Sequence, residues 1–291
     1  MKSLVMTAAL ALVLPTGLRA DEKDDALAAQ RKTAKENWDR VSSEPSVTHE
    51  TEHLLLVAPK GMEKLLKETG ILLEKYYDTA AKAVFPPKEP AWPGKLAVYL
   101  FEQPEQLDSF IRRIEKRRLV GAEKGTFMIE DARLHAAACP PRDKNDPPMR
   151  VQAGQQVASA VMVRKAGVRT ILPSWLVSGF GRATHYRVAG LASRDVASER
   201  SAAARFAARN KRNASDVWGG VLDGEEGPLL QASVADFLAY GPGKAKFVAL
   251  LEGFKPEENV EEKTMQQALD AAGLKVDAIN TNWRRYVAAP R

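Results

Sequence analysis

The sequence predicts an α+β fold, with a small sheet in the N-terminal half, helices packed on it, and a mostly helical C-terminal half. Four β-rich segments fall before residue 140 with helical patterns between them, and after that point only helical spacing recurs. The chain has 291 residues, 45% hydrophobic and 27% charged, which is enough apolar content to bury a substantial core.

Taken in order, Met1 to Ala20 reads as a secretory signal. Lys2 is the positive start, Leu4 to Leu14 the apolar core, and Pro15 and Gly17 break it before Leu18-Arg19-Ala20. The apolar core is too short to span a bilayer. Removing it deletes Lys2 and Arg19 and no acid, so the net charge falls from +6 to +4. The mature protein is expected in the periplasm, cell envelope or medium, or anchored there if the signal is retained. Residues 21–45 form a charged, Ala-rich leader, either a short helix or mobile. A single α+β domain should follow over 46–289, with its sheet in 46–149 and its helices in 150–289.

That domain opens with an alternating, β-branched run from Val47 to Val57, bounded by Pro45 and Pro59 and read as one strand. Lys60 to Val84 is a long amphipathic helix with Leu65, Leu66, Leu72, Leu73, Tyr76, Tyr77 and Ala80 at helical spacing. Pro86, Pro87, Pro90 and Pro93 mark a loop before a strand at Lys95 to Phe101. Pro104 suits the first turn of a second helix, with Leu107, Phe110, Ile111 and Ile114 on one face. The basic run Arg112 to Arg118 is expected on its solvated side. Further strands are predicted at Gly125 to Ile129 and Arg133 to Cys139, then a Pro-rich loop, Pro140 to Pro148.

The most informative stretch follows. Gln155-Gln156-Val157-Ala158-Ser159 opens an apolar helix, and Leu172-Pro173-Ser174-Trp175-Leu176-Val177-Ser178-Gly179-Phe180-Gly181-Arg182-Ala183 begins the next. In layout this resembles the gluzincin-type peptidase MA-like metallopeptidases, in which H-E-x-x-H precedes a P-x-W-L-x-E-G-hydrophobic-A helix. The resemblance spans Val47 to Ala288 and is best from Gln155 to Ala183. It implies a zincin-like fold with a motif helix on a small sheet. Pro173, Trp175, Leu176, Gly179 and Ala183 match the scaffold. Gln155 and Ser159 stand where the histidine ligands would be, Gln156 where the catalytic Glu would be, and Ser178 at the third ligand. Amides and hydroxyls cannot replace imidazole and carboxylate around zinc, and position 156 offers no general base. The resemblance therefore implies a catalytically inactive relative, a binding or structural module of the cell envelope, with a vestigial cleft at Gln155, Gln156, Ser159 and Ser178, and no cofactor.

A literal H-E-x-x-H does occur, at His49-Glu50-Thr51-Glu52-His53. The motif works only on a helix, where i and i+4 share a face. On a strand, at about 3.3 Å per residue, the two imidazoles would stand roughly 13 Å apart. The alternative reading is an active zinc peptidase with His49 and His53 as ligands, Glu50 as base, and Glu68 or Glu74 as third ligand.

The remaining signals exclude other classes. One cysteine, Cys139, in an apolar run, permits no intramolecular disulfide and reads as core. Gly241-Pro242-Gly243-Lys244 lacks the spacing of a phosphate loop, and Ser178 lacks the flanking glycines of a nucleophile elbow. Asn213-Ala214-Ser215 is a glycosylation sequon. The basic run has no interleaved aromatics, so no specific nucleic-acid partner is expected. His185 either faces the cleft or is a surface or hydrogen-bonded residue. Downstream, Ala- and Arg-rich sequence runs to Arg212 and Trp218 precedes a Gly-rich turn at Asp223 to Gly227; Val234–Tyr240 and Lys244–Leu251 resemble the family's helical pattern, and Met265–Leu269 with Val276–Val287 its closing helix, so the resemblance implies helices there. Trp283 and Tyr286 resemble the family's closing W-x-x-Y and are expected in the core. A peptide or an acidic envelope polymer is the expected partner.

Overall fold

The computed structural model describes residues 20–289 except 88, 93, 131, 132, 145, 221, 223 and 258–261, with side chains from Leu27 onward. All of the expected signal segment but Ala20, Pro93 of the Pro-rich loop and Asp223 of the Gly-rich turn lie outside the described residues.

The architecture is α+β: one five-stranded mixed sheet, then helices. Helix α1 (Ala20–Asp39) precedes strands β1 (Ser46–Glu50) and β2 (Leu54–Pro59), helix α2 (Glu63–Val84), strand β3 (Leu96–Leu100), helix α3 (Pro104–Phe110), and strands β4 (Gly125–Glu130) and β5 (Arg133–Ala138). The C-terminal half holds α4 (Met149–Ala166), α5 (Ser174–Ala189), α6 (Arg194–Arg209), α7 (Ser215–Trp218), α8 (Glu226–Ala239), α9 (Phe247–Gly253), α10 (Met265–Ala271) and α11 (Val276–Ala288). Strand order is β1-β2-β3-β5-β4, with β2, β3 and β5 parallel and both outer pairs antiparallel.

Both faces of the sheet are covered, which is why β2 is a run of apolar residues buried throughout. Side chains alternate across it. Leu54, Leu56, Val98, Leu100 and Ala136 join the large core with α2, α4 and the C-terminal helices. Leu55, Val57, Tyr99, Phe101 and Cys139 join a second core with Ala34 and Trp38 of α1 and Leu107 and Phe110 of α3.

Three expectations change. The single strand Val47–Val57 is a hairpin, turning at Thr51–His53. Thr51 closes the turn, its amide donating to the Leu54 carbonyl at 3.0 Å and its Oγ1 accepting from the Leu54 amide at 3.2 Å. The along-strand spacing of His49 and His53 therefore does not apply. Second, of the two forms expected for the leader the helix is found, but as the long α1, Ala20–Asp39, packed into the fold through Ala34 and Trp38. Trp38 is fully buried and stacks on Phe101 at 5.5 Å, and its indole donates to the Glu44 carbonyl at 2.7 Å. Third, the basic run is not wholly solvated. After α3 the chain makes a π-helical turn, Ile111–Glu115, that buries Glu115. Arg117 turns inward to bond Glu115 at 2.7 Å and Glu123 at 2.6 Å, while Arg112, Arg113, Lys116 and Arg118 stay exposed.

The C-terminal helices pack through close backbone approaches. A Cβ at Gly179 of α5 would lie 2.6 Å from the Gln231 carbonyl oxygen of α8, and one at Gly181 would lie 2.8 Å from the Gln155 carbonyl oxygen of α4. Trp283 of α11 is fully buried and donates to Ser233 Oγ at 3.2 Å.

Candidate binding cleft

Between β4, α4, α5 and α6 lies a cleft of about 420 Å³. Helix α4 contributes Gln152, Gln155 and Gln156, which share a face at i, i+3 and i+4. Helix α5 contributes Arg182 and His185, α6 contributes Glu199, and the start of β4 contributes Gly125. Gln156 packs directly on the backbone of Gly125, where a Cβ would lie 2.9 Å from Gln156 Cγ.

Of the four positions aligned with the peptidase pattern's ligands and base, Gln155 and Gln156 line this cleft, whereas Ser159 and Ser178 do not. Ser159 is buried between the helices and donates to the Val177 carbonyl at 3.0 Å. Ser178 donates to the Ser174 carbonyl at 2.9 Å and lies 3.3 Å from Gln231 Oε1 on α8. The scaffold residues hold this arrangement. Pro173 precedes α5, buried Trp175 packs on Trp218 with ring centres 5.8 Å apart, and Gly179 lets α8 close in.

The cleft's titratable groups are already engaged. His185 Nδ1 lies 2.6 Å from Tyr76 Oη of α2. Burial pushes the His185 pKa down from 6.5 and the Tyr76 phenol up, so the pair is a neutral imidazole against a neutral phenol at pH 7. Arg182 Nε and Tyr186 Oη each bond Glu199 Oε2 at 2.8 Å. Burial, the largest single influence, raises the Glu199 pKa, but the hydrogen bond and charge of Arg182 and the Tyr186 hydroxyl together outweigh it and hold the carboxylate below its ordinary value. Lys124 is likewise paired with Asp146. Gln152, 3% exposed, donates to the Pro147 carbonyl at 2.6 Å, while its buried Oε1 has no partner among the described residues.

Zinc does not fit this donor set. The lining amides of Gln152, Gln155 and Gln156 lack the charge and basicity it needs, the Ser159 proton is committed to a carbonyl, and the imidazole and carboxylate nearby are held by Tyr76 and Arg182. The literal motif lacks its geometry too. His49 and Glu50 belong to β1 and His53 to the turn, so no helix face unites them. His49 lies against Gly70 of α2. Glu50 is bonded by Arg31 at 2.5 Å, with Lys95 at 3.3 Å, and these contacts hold its carboxylate below the usual range, against any role as base near neutral pH. Of the two proposed third ligands, Glu74 meets His53 at 2.9 Å and Glu68 is exposed.

Sequence reasoning missed Tyr76, Arg182 and Glu199. Only Arg182 had a usable signal: Ser178, Arg182 and His185 recur at i, i+4 and i+7 on α5. The chain matches no protein-family model, and no curated protein matches it significantly.

Proposed function

We propose that this protein is a secreted, catalytically inactive relative of zinc peptidases that binds an extended peptide in the cleft beside β4. The observation carrying this reading is the cleft's donor set. Gln155 and Gln156 present neutral carboxamides where the peptidase pattern would place a ligand and a base, and the surrounding charges are paired within the protein. Such a lining can donate to and accept from peptide groups, and offers an acidic polymer no unpaired cation. Strand β4 supports the same ligand. It is the last strand of the sheet, and among the described residues no strand pairs with its outer edge. An added extended segment would complete those backbone hydrogen bonds.

Secretion rests on the Met1–Ala20 pattern. No helix among the described residues is long and apolar enough to cross a membrane.

The test is fluorescence anisotropy with neutral extended peptides and with poly-glutamate. Peptides should bind and remain uncleaved, and Gln155→Ala with Gln156→Ala should weaken them about 10–30-fold, the loss of two hydrogen bonds of ~1 kcal/mol each. Preference for poly-glutamate, or binding indifferent to both glutamines, would overturn the reading.

A further inference from the structure

On the opposite side of α2 from the Tyr76–His185 contact, the β1–β2 turn brings His53 onto a second cleft, of about 690 Å³. His53 Nδ1 lies 2.9 Å from Glu74 Oε2, and the His53 amide donates to the other oxygen of that carboxylate at 2.7 Å. The His53 ring stacks on Tyr77 at 4.0 Å, and its carbonyl accepts from the Leu96 amide at 2.9 Å. The imidazole is thus held by its backbone, one ring nitrogen and one ring face.

Asp78 follows Glu74 by four residues on α2, so the two share a helix face. One donor atom from each of His53, Glu74 and Asp78 lies within 4.8 Å of the others. A His53–Glu74 ion pair accounts for Glu74 alone. Asp78 makes no hydrogen bond or ion pair among the described residues, and Glu52 approaches His53 only at 3.8 Å. Three carboxylates thus surround one imidazole on a chain of net charge +6.

We propose that His53, Glu74 and Asp78 form a binding site for a divalent transition-metal ion of the zinc type, which ties the β1–β2 turn to α2. Donors bound to one zinc at about 2.0–2.2 Å sit roughly 3–4 Å from one another, so small side-chain rotations bring these three into place. A nitrogen donor beside two carboxylates favours zinc or its neighbours over magnesium and calcium, which take oxygen ligands. The site stands apart from the α4–α5 cleft, and neither proposal depends on the other.

The experiment is a zinc titration of the chelator-stripped mature chain against a competing chromophoric indicator, with magnesium as comparison. One zinc per chain should bind, and magnesium should not displace it. His53→Ala and Asp78→Asn should each weaken binding at least about tenfold, no less than the loss of a residue that merely orients a ligand. His49→Ala should leave it unchanged. Asp78 is exposed, so Asp78→Asn reads the site without threatening the fold. Absence of saturable binding, or affinity untouched by both variants, would overturn the proposal. A loss shared by His49→Ala would do so as well, because it would assign the ion to the literal motif.

Discussion

Tyr76 Oη meets His185 Nδ1 at 2.6 Å, joining α2 of the sheet-containing half to α5 of the helical half through a residue that lines the candidate cleft. The burial of His185 at this contact couples the fold to pH. Burial depresses the folded-state pKa of His185 below 6.5, so between that value and its folded pKa the unfolded chain binds more protons. Stability from this group is therefore fully present above about pH 6.5 and is lost as pH falls toward the folded pKa. Melting temperature should decline from pH 7 to 5.5, and His185→Gln should flatten that decline. An unchanged slope in the variant would remove His185 as its source.

Gly179 is required by the contact it permits. An alanine there gains up to about 1 kcal/mol of helix propensity. Its Cβ would stand 2.6 Å from the Gln231 carbonyl, a backbone atom that cannot rotate away. Gly179→Ala should therefore destabilise the protein by about 1–3 kcal/mol in urea unfolding. Unchanged or increased stability would show that α5 and α8 sit further apart.

Helix α1 belongs to the folded unit. Trp38→Ala empties a fully buried site against Phe101 and should cost about 3–5 kcal/mol. Deleting residues up to 45 should expose the second core and lower the unfolding midpoint at least as far. A midpoint unaffected by either change would return α1 to the role of a detachable leader.

The α+β class was legible because its signals are local. β-Branched runs and helical spacing announced most of the strands and α2, and Pro173-x-Trp175 announced α5. The hairpin was hidden because Thr51-Glu52-His53 contains no Gly, Pro or Asn. Its turn is closed by the Thr51 hydroxyl, and the alternation runs straight through it. Docking of α1 was hidden because charge dominates its composition, while the anchoring falls to Ala34 and Trp38. Within the cleft, Gln155 and Gln156 could be picked out from their place in the pattern. The partners around them could not, because Tyr76 and His185 are 109 positions apart and no spacing rule joins them.

Amide hydrogen exchange of the mature protein, with and without a binding peptide, tests the central claim most directly. Addition along the outer edge of β4, with which no strand pairs among the described residues, should slow exchange over residues 125–130 and around Gln155 and Gln156 at the wall of the cleft. The same peptide should be recovered intact by mass spectrometry. Protection confined to another surface, such as the cleft beside Arg187 and Tyr286, or recovery of cleaved peptide, would contradict the account.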